Sequence, residues 1–300
     1  MRTLKTNTSR FFISIVTVGF LIISLADVSV VKAGDKNQDL IEAVAQGRTE
    51  AVRRLLTDGA NVDAIEDATG STALMVAAHK GQINVARILL DKNADVNAVR
   101  ELDGWTALMI AASGEDYRHY EMVRLLVDNG ANVNATQQEG YTAMMVAANK
   151  GELKTVKFLV EKGANVDPKG PDGRTALFMA VNSGNLEIVK LLLSRGLDVN
   201  LRDTHSETAL MLASEEGDPK MVKLLLDKGA NVNAQQNDGH TALMAAVRAG
   251  HTESVKLLLG RGADINARTL EGATALKWAY KWNRPTIIKI LKARGANQHQ

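Results

Sequence analysis

The sequence predicts an all-α solenoid of short helix–turn–helix units joined by β-turn or hairpin-like loops, and three observations predict it. A Thr-Ala-Leu/Met tripeptide begins at Thr72, Thr106, Thr142, Thr175, Thr208, Thr241 and Thr274, at spacings of 34, 36, 33, 33, 33 and 33 residues. A fixed period of this size marks stacked units that rest on their neighbours. Each unit carries two apolar stripes at three- and four-residue spacing, the signature of two short amphipathic helices. Aromatic residues are 4% of the chain although 45% is hydrophobic, so Ala, Leu, Val and Met supply the apolar mass without one large aromatic core.

Residues 1–33 stand apart from the repeats. Arg2, Lys5 and Arg10 open the chain, Phe11–Ala26 is an uncharged run of 16 residues, and Val31-Lys32-Ala33 precedes Gly34. This order of basic, apolar and small-residue regions is that of a secretory signal cleaved before Gly34. The apolar run falls short of the roughly 20 residues that span a bilayer. A retained membrane anchor is the alternative. Cleavage changes the net charge from +2 to −1, leaving 32 basic and 33 acidic side chains. Neither balance points to nucleic acid. The absence of Cys excludes disulfides, Cys-ligated zinc, iron–sulfur clusters and a Cys nucleophile.

Residues 34–69 form an N-terminal capping unit that lacks the Thr motif, running from Asp39-Leu40-Ile41 to Gly59-Ala60-Asn61-Val62-Asp63. Residues 70–271 hold the internal units, and the stretch from Asp238 shows their logic. Asp238-Gly239 supplies a turn. Thr241 is placed to cap a first helix whose Leu243, Ala246 and Val247 form one stripe, ending at Gly250. Val255, Leu258 and Leu259 form the stripe of a second helix, ending at Gly262. Helices of about nine residues are marginal alone, so stacking must stabilise them. Residues 272–300 form a C-terminal capping unit, where Ile287-Ile288-Lys289-Ile290-Leu291-Lys292 gives a wetter outer face.

The unit, read as D-G-x-T-A-L-M-x-A-A…G…V-x-x-L-L…G-A-D-I-N-A, resembles the ankyrin repeat, and the resemblance covers nearly all of residues 34–300 in about eight units. The family's Pro after the Thr is Ala here, at Ala73, Ala107, Ala143, Ala176, Ala209, Ala242 and Ala275. The family's His is Met75, Met109, Met145, Met211 and Met244, with Phe178 and Lys277 at the other two positions. Apolar packing is expected where the family uses hydrogen bonds. The unit from Gly104 is three residues longer, through Glu115-Asp116-Tyr117-Arg118-His119-Tyr120-Glu121-Met122, which is expected to form an exposed loop.

No catalytic constellation is found. G-x-x-x-x-G-K-[ST], H-E-x-x-H and G-x-S-x-G are all missing. The stretch Asn233–Gly239 lacks the carboxylates of a calcium loop. The six His show no short ligand spacing, and surface or turn roles are expected of them. No catalytic residue, metal ligand or cofactor is therefore assigned. The C-terminal unit carries Lys277, Lys281, Arg284, Lys289, Lys292 and Arg294 with no acidic side chain after Glu271. A solvated capping face is the expected reading, with contact to anionic lipid or polymer as the alternative.

The resemblance implies protein binding through turn tips and the first helices of a concave face, with the residue before each Thr on that surface. Trp105, Tyr141, Arg174, Glu207 and His240 occupy that position, an aromatic pair followed by charge. Trp and Tyr are enriched in binding hot spots. Tyr117 and Tyr120 of the longer unit are further candidates. The expected protein is a bacterial, exported, monomeric scaffold in the periplasm or outside the cell, with one or more protein partners. Membrane contact is expected only if the N-terminal segment is retained. The alternatives are an anchored structural or envelope protein, an accessory to an envelope enzyme, or a toxin-neutralising protein.

Overall fold

The Thr of each repeat decides where its first helix begins. The computed structural model describes residues 35–296, so the signal expected at residues 1–33 lies outside the described residues. Thr72, Thr106, Thr142, Thr208, Thr241 and Thr274 are extended, and each Oγ1 accepts the amide three residues on at 3.3–3.4 Å. Thr175 instead accepts from Leu177 N at 3.3 Å. Each cap contributes about 1 kcal/mol, enough to fix a boundary but not to hold a seven-residue helix.

The chain divides into two compact units, Met1–Gln138 and Glu139–Gln300. The first contains three helix pairs among its described residues: α1 (Lys36–Ala45) with α2 (Thr49–Thr57), α3 (Ala73–His79) with α4 (Ile83–Asp91), and α5 (Ala107–Ala112) with α6 (Tyr117–Asp128). The second contains five. These are α7 (Ala143–Lys150) with α8 (Leu153–Glu161), α9 (Ala176–Asn182) with α10 (Leu186–Ser194), and α11 (Ala209–Glu216) with α12 (Pro219–Asp227). They continue as α13 (Ala242–Ala249) with α14 (Thr252–Gly260) and α15 (Ala275–Lys281) with α16 (Pro285–Ala293). Inside each unit, first helices pack on first helices of the next pair, and second helices on second helices. Extended pairing among the described residues is confined to isolated antiparallel bridges such as Ile65 with Thr72 and Gln235 with Thr241. The fold is an all-α repeat solenoid.

The core runs along the first helices. Met75, Met109, Met145, Met211, Met244 and Phe178 are fully buried, with Ala78, Ala112, Ala148 and Ala213 beside them. Met fills the irregular spaces between repeats, and Ala lets the helices approach. Each buried Leu or Met contributes roughly 1.5–3 kcal/mol, so packing outweighs capping.

Polar side chains then tie one repeat to the next. Asn97, Asn200 and Asn233 each donate Nδ2 to the carbonyl of Gly130, Gly229 and Gly262 respectively, and accept on Oδ1 the amide of Asn132, Asn231 and Asp264. A second ladder serves the carbonyls left open at the ends of first helices. Gln82 donates to Ala45 O, Ser183 to Ala148 O, and Arg284 to Arg248 O and Ala249 O. His119 Nε2 lies 3.0 Å from His79 O, and His251 Nε2 lies 2.9 Å from Glu215 O. These two His, expected at the surface or in turns, are thus inter-repeat caps.

The longer unit also departs from expectation. Its three extra residues form no loop but lengthen α6 to 12 residues, where every other second helix has nine. The stretch has neither Gly nor Pro, and Asp116 caps it by accepting His119 N at 3.0 Å.

The Asp-Gly turns press on the following repeat. Gly239 has φ +86°, and a Cβ there would lie 2.8 Å from Thr269 Cα and 2.9 Å from Arg268 O. Gly229 has φ +88° with open space around it. Gly229→Ala should therefore cost about 1 kcal/mol from its backbone alone, and Gly239→Ala about 3 kcal/mol. Urea unfolding followed by helical circular dichroism measures the difference.

Candidate functional site

In three repeats the residue before the Thr is held by an Asp two positions back, which accepts its amide. Asp103 accepts from Trp105 N at 3.1 Å, Asp172 from Arg174 N at 3.1 Å and Asp238 from His240 N at 3.0 Å. In a fourth, Asp203 accepts the amide of Glu207, four positions on, at 2.8 Å.

In the first unit, Trp105 is 7% exposed, and its indole Nε1 is buried without a hydrogen-bond partner among the described residues. Arg100, in the same hairpin, is buried. It donates Nε to Asp103 Oδ1 at 2.9 Å, Nη2 to Asp103 Oδ2 at 2.6 Å and Nη1 to Ser71 Oγ at 3.2 Å. Tyr117 and Tyr120 lie on the lengthened turn of α6 with ring centroids 6.4 Å apart, Tyr117 exposed and Tyr120 half-buried. The Arg118 guanidinium beside Asp116 holds that carboxyl well below the usual carboxylate range.

In the second unit, Tyr141 is also 7% exposed, and burial pushes its phenol above the usual range. Its ring rests on Gly170, where a Cβ would come within 2.7 Å of Cε1. Arg174 Nη2 donates to Glu207 Oε2 at 2.6 Å and Nε to Asp203 Oδ2 at 3.2 Å, with the guanidinium 5.7 Å from the Phe178 ring centroid. Gln236 donates to the other oxygen of Glu207 at 3.2 Å. The His240 ring centroid lies 5.2 Å from that of Trp278, and its Nδ1 is 3.0 Å from Asp238 Oδ2 without the alignment of a hydrogen bond. Arg248 pairs with Glu215 at 2.8 Å.

Arg174, Glu207 and His240 thus fill a strip that is largely spent on contacts inside the array. Trp105 and Tyr141 present little more than ring edges. The partners of the strip, Arg100, Asp203 and Gln236, escaped the sequence reading. Their signal is a spacing: each meets the residue 29 positions earlier, Ser71, Arg174 or Glu207. Exposed apolar side chains sit elsewhere in the first unit, on the hairpins: Ile65, 51% exposed, and Val99, 60%, pair across the hairpin with Thr72 and Thr106, and Leu102, 75%, lies in the turn. Ile65 and Val99 are the same position in successive repeats, which later repeats fill with Thr136, Lys169, Arg202, Gln235 and Arg268.

One guanidinium between two buried carboxylates leaves an unbalanced charge, and Glu207 answers it. Burial pushes the Glu207 carboxyl up to about 7, against Arg174 and Arg248, which pull it down, while Asp203 and Glu215 add to the rise. The folded chain therefore keeps a proton that the unfolded chain releases near the ordinary 4.5. Stability from this group is full below about pH 4.5 and is lost as pH rises through about 7. His79 works in the opposite sense: burial lowers it to about 4, so its contribution grows as pH rises from 4 towards the ordinary 6.5. The comparison of parent with Glu207→Gln isolates the carboxyl. The variant should gain on the parent by up to about 3 kcal/mol between pH 4.5 and 7.5, measured by urea unfolding at each pH.

A small open cleft of about 170 Å³, lined by Gly250, Thr252, Asn283, Arg284, Pro285, Thr286 and Ile287, lies beside the last pair. It is smaller than the roughly 300–1,000 Å³ of small-molecule pockets. Comparison with curated proteins finds no match. Profiles of ankyrin repeats, three copies to a profile, match residues 16–100, 40–137, 99–170, 116–203, 165–236 and 210–300. Matched along nearly its whole length and built of Thr-capped helix pairs, the chain belongs to the ankyrin-repeat family, whose arrays commonly mediate protein–protein interaction and are generally non-enzymatic.

Proposed function

We propose that this chain is an exported, non-enzymatic scaffold that holds a partner protein through the hairpins of its N-terminal repeats. The observation that carries this reading is the exposure of Ile65, Val99 and Leu102 on two successive hairpins. Apolar side chains repeated at one hairpin position meet the need of a binding surface for an anchor that water leaves on contact. Tyr117 and Tyr120, in the first turn of α6, are a separate candidate contact, because an aromatic pair on a capped helix loses little freedom when bound. Trp105 in the first unit, and Tyr141, Arg174, Glu207 and His240 in the second, are further candidate contacts, each unit with its own.

Export places this activity in the periplasm or outside the cell, on the strength of Arg2, Lys5, Arg10, the run Phe11–Ala26 and Val31-Lys32-Ala33. The absence of Cys suits it, since packing between neighbours serves in an oxidising or a reducing compartment alike.

Two measurements test the proposal. With the partner captured from an envelope fraction, Val99→Asp combined with Leu102→Asp should weaken binding by about 30-fold or more while leaving the circular dichroism unchanged. An unaltered Kd would remove these hairpins from the interface. The intact mass of protein recovered from expressing cells should correspond to a chain starting at Gly34, whereas a mass that retains residues 1–33 would favour the anchored alternative.

A further inference from the structure

Among the described residues α15 and α16 are the last helix pair, and their side chains differ from those of the repeats before them. Lys277, Tyr280 and Ile288 occupy the places of Met244, Val247 and Val255, which are fully buried against the following pair. On the last pair Lys277 and Tyr280 are exposed and Ile288 is half-exposed. The terminal face is therefore built of what the array elsewhere keeps inside, rewritten in Lys, Tyr and Ile.

Two features of this face act together. Tyr280 is 48% and Trp282 40% exposed, and cations sit over aromatic faces: Lys292 Nζ lies 5.5 Å from the Tyr280 centroid and Lys281 Nζ 4.8 Å from that of Trp278. The charge is also one-sided. Residues 272–300 carry six cations and no acidic side chain, whereas residues 34–271 carry 26 cations against 33 acids, net −7. An anionic surface thus attracts the end of the chain and repels its body.

We propose that this terminal face docks the protein end-on to an anionic lipid bilayer. Amphipathic Trp and Tyr rings settle at the headgroup level, and Lys beside them meets anionic headgroups. The half-exposed Ile288 favours a bilayer over a soluble polyanion, because a bilayer interface gives an apolar group a place and a polyanion does not. Contact of this kind needs no retained N-terminal segment, which departs from the expectation drawn from the sequence.

The test compares the full chain with its Lys277→Gln, Lys281→Gln, Lys292→Gln variant on phosphatidylcholine vesicles with and without phosphatidylglycerol. Any binding through residues 1–33 is common to both proteins and cancels. Each Lys near an anionic surface strengthens partitioning by about fivefold, so the variant should lose on the order of 100-fold on the anionic vesicles and nothing on the neutral ones. Raised salt should abolish the difference. Brominated lipid should quench the fluorescence of the parent, and Trp282→Phe should lose most of that quenching. Equal binding of parent and variant to anionic vesicles overturns the proposal. So does capture by heparin or DNA without vesicle binding, which assigns the face to a polyanion, or a salt-insensitive dimer that Tyr280→Glu dissociates, which assigns it to a second copy.

Discussion

A pair of helices six to twelve residues long has no interior, and everything else in this protein follows from that constraint. The apolar stripe of a first helix is covered when another first helix lies against it, and Ala78, Ala112, Ala148 and Ala213 make the approach close enough. Hydrogen bonds obey the same requirement. Asn97, Asn200 and Asn233 each satisfy a carbonyl and an amide of the next repeat, and carbonyls at first-helix ends are met by Gln82, His119, Ser183, His251 and Arg284 from the following pair. Stability is accordingly a sum over neighbours rather than a property of one core.

The fold was legible because the constraint repeats. A period of 33 imposes Thr, Ala, Leu and Gly at fixed places, and seven in-phase copies leave little freedom for another architecture. The lengthened unit was misread because an insertion was equated with a loop. Tyr117–Met122 continues the helical pattern without Gly or Pro, and Asp116 starts the helix one turn earlier. The candidate site was half legible. Position before the Thr was sound as a guide to where Trp105, Tyr141, Arg174, Glu207 and His240 leave the backbone. It said nothing of how far the next hairpin covers them, since Gly170 under Tyr141 and Asp203 beside Arg174 belong to another repeat.

Charge follows the same division of labour. Inside the array it is balanced locally, as in Arg100 with Asp103 or Arg248 with Glu215, and where balance fails at Glu207 a proton is held instead. At the C-terminal end cations accumulate with no acidic side chain to meet them. Apolar surface is exposed at Ile65, Val99 and Leu102 on early hairpins, at Leu270 on the last hairpin, and at the aromatic rings of the last pair.

The ladder of donors to first-helix carbonyls runs one way. Gln82 serves Ala45, His119 serves His79, Ser183 serves Ala148, His251 serves Glu215 and Arg284 serves Arg248, always a later repeat closing an earlier one. The array consequently has a growing edge. When a chain emerges N-terminus first from a ribosome, each repeat that this ladder closes is finished by the arrival of the next. Loss of an N-terminal repeat leaves a donor facing water, which water accepts, whereas loss of a C-terminal repeat reopens carbonyls beside a bare apolar stripe.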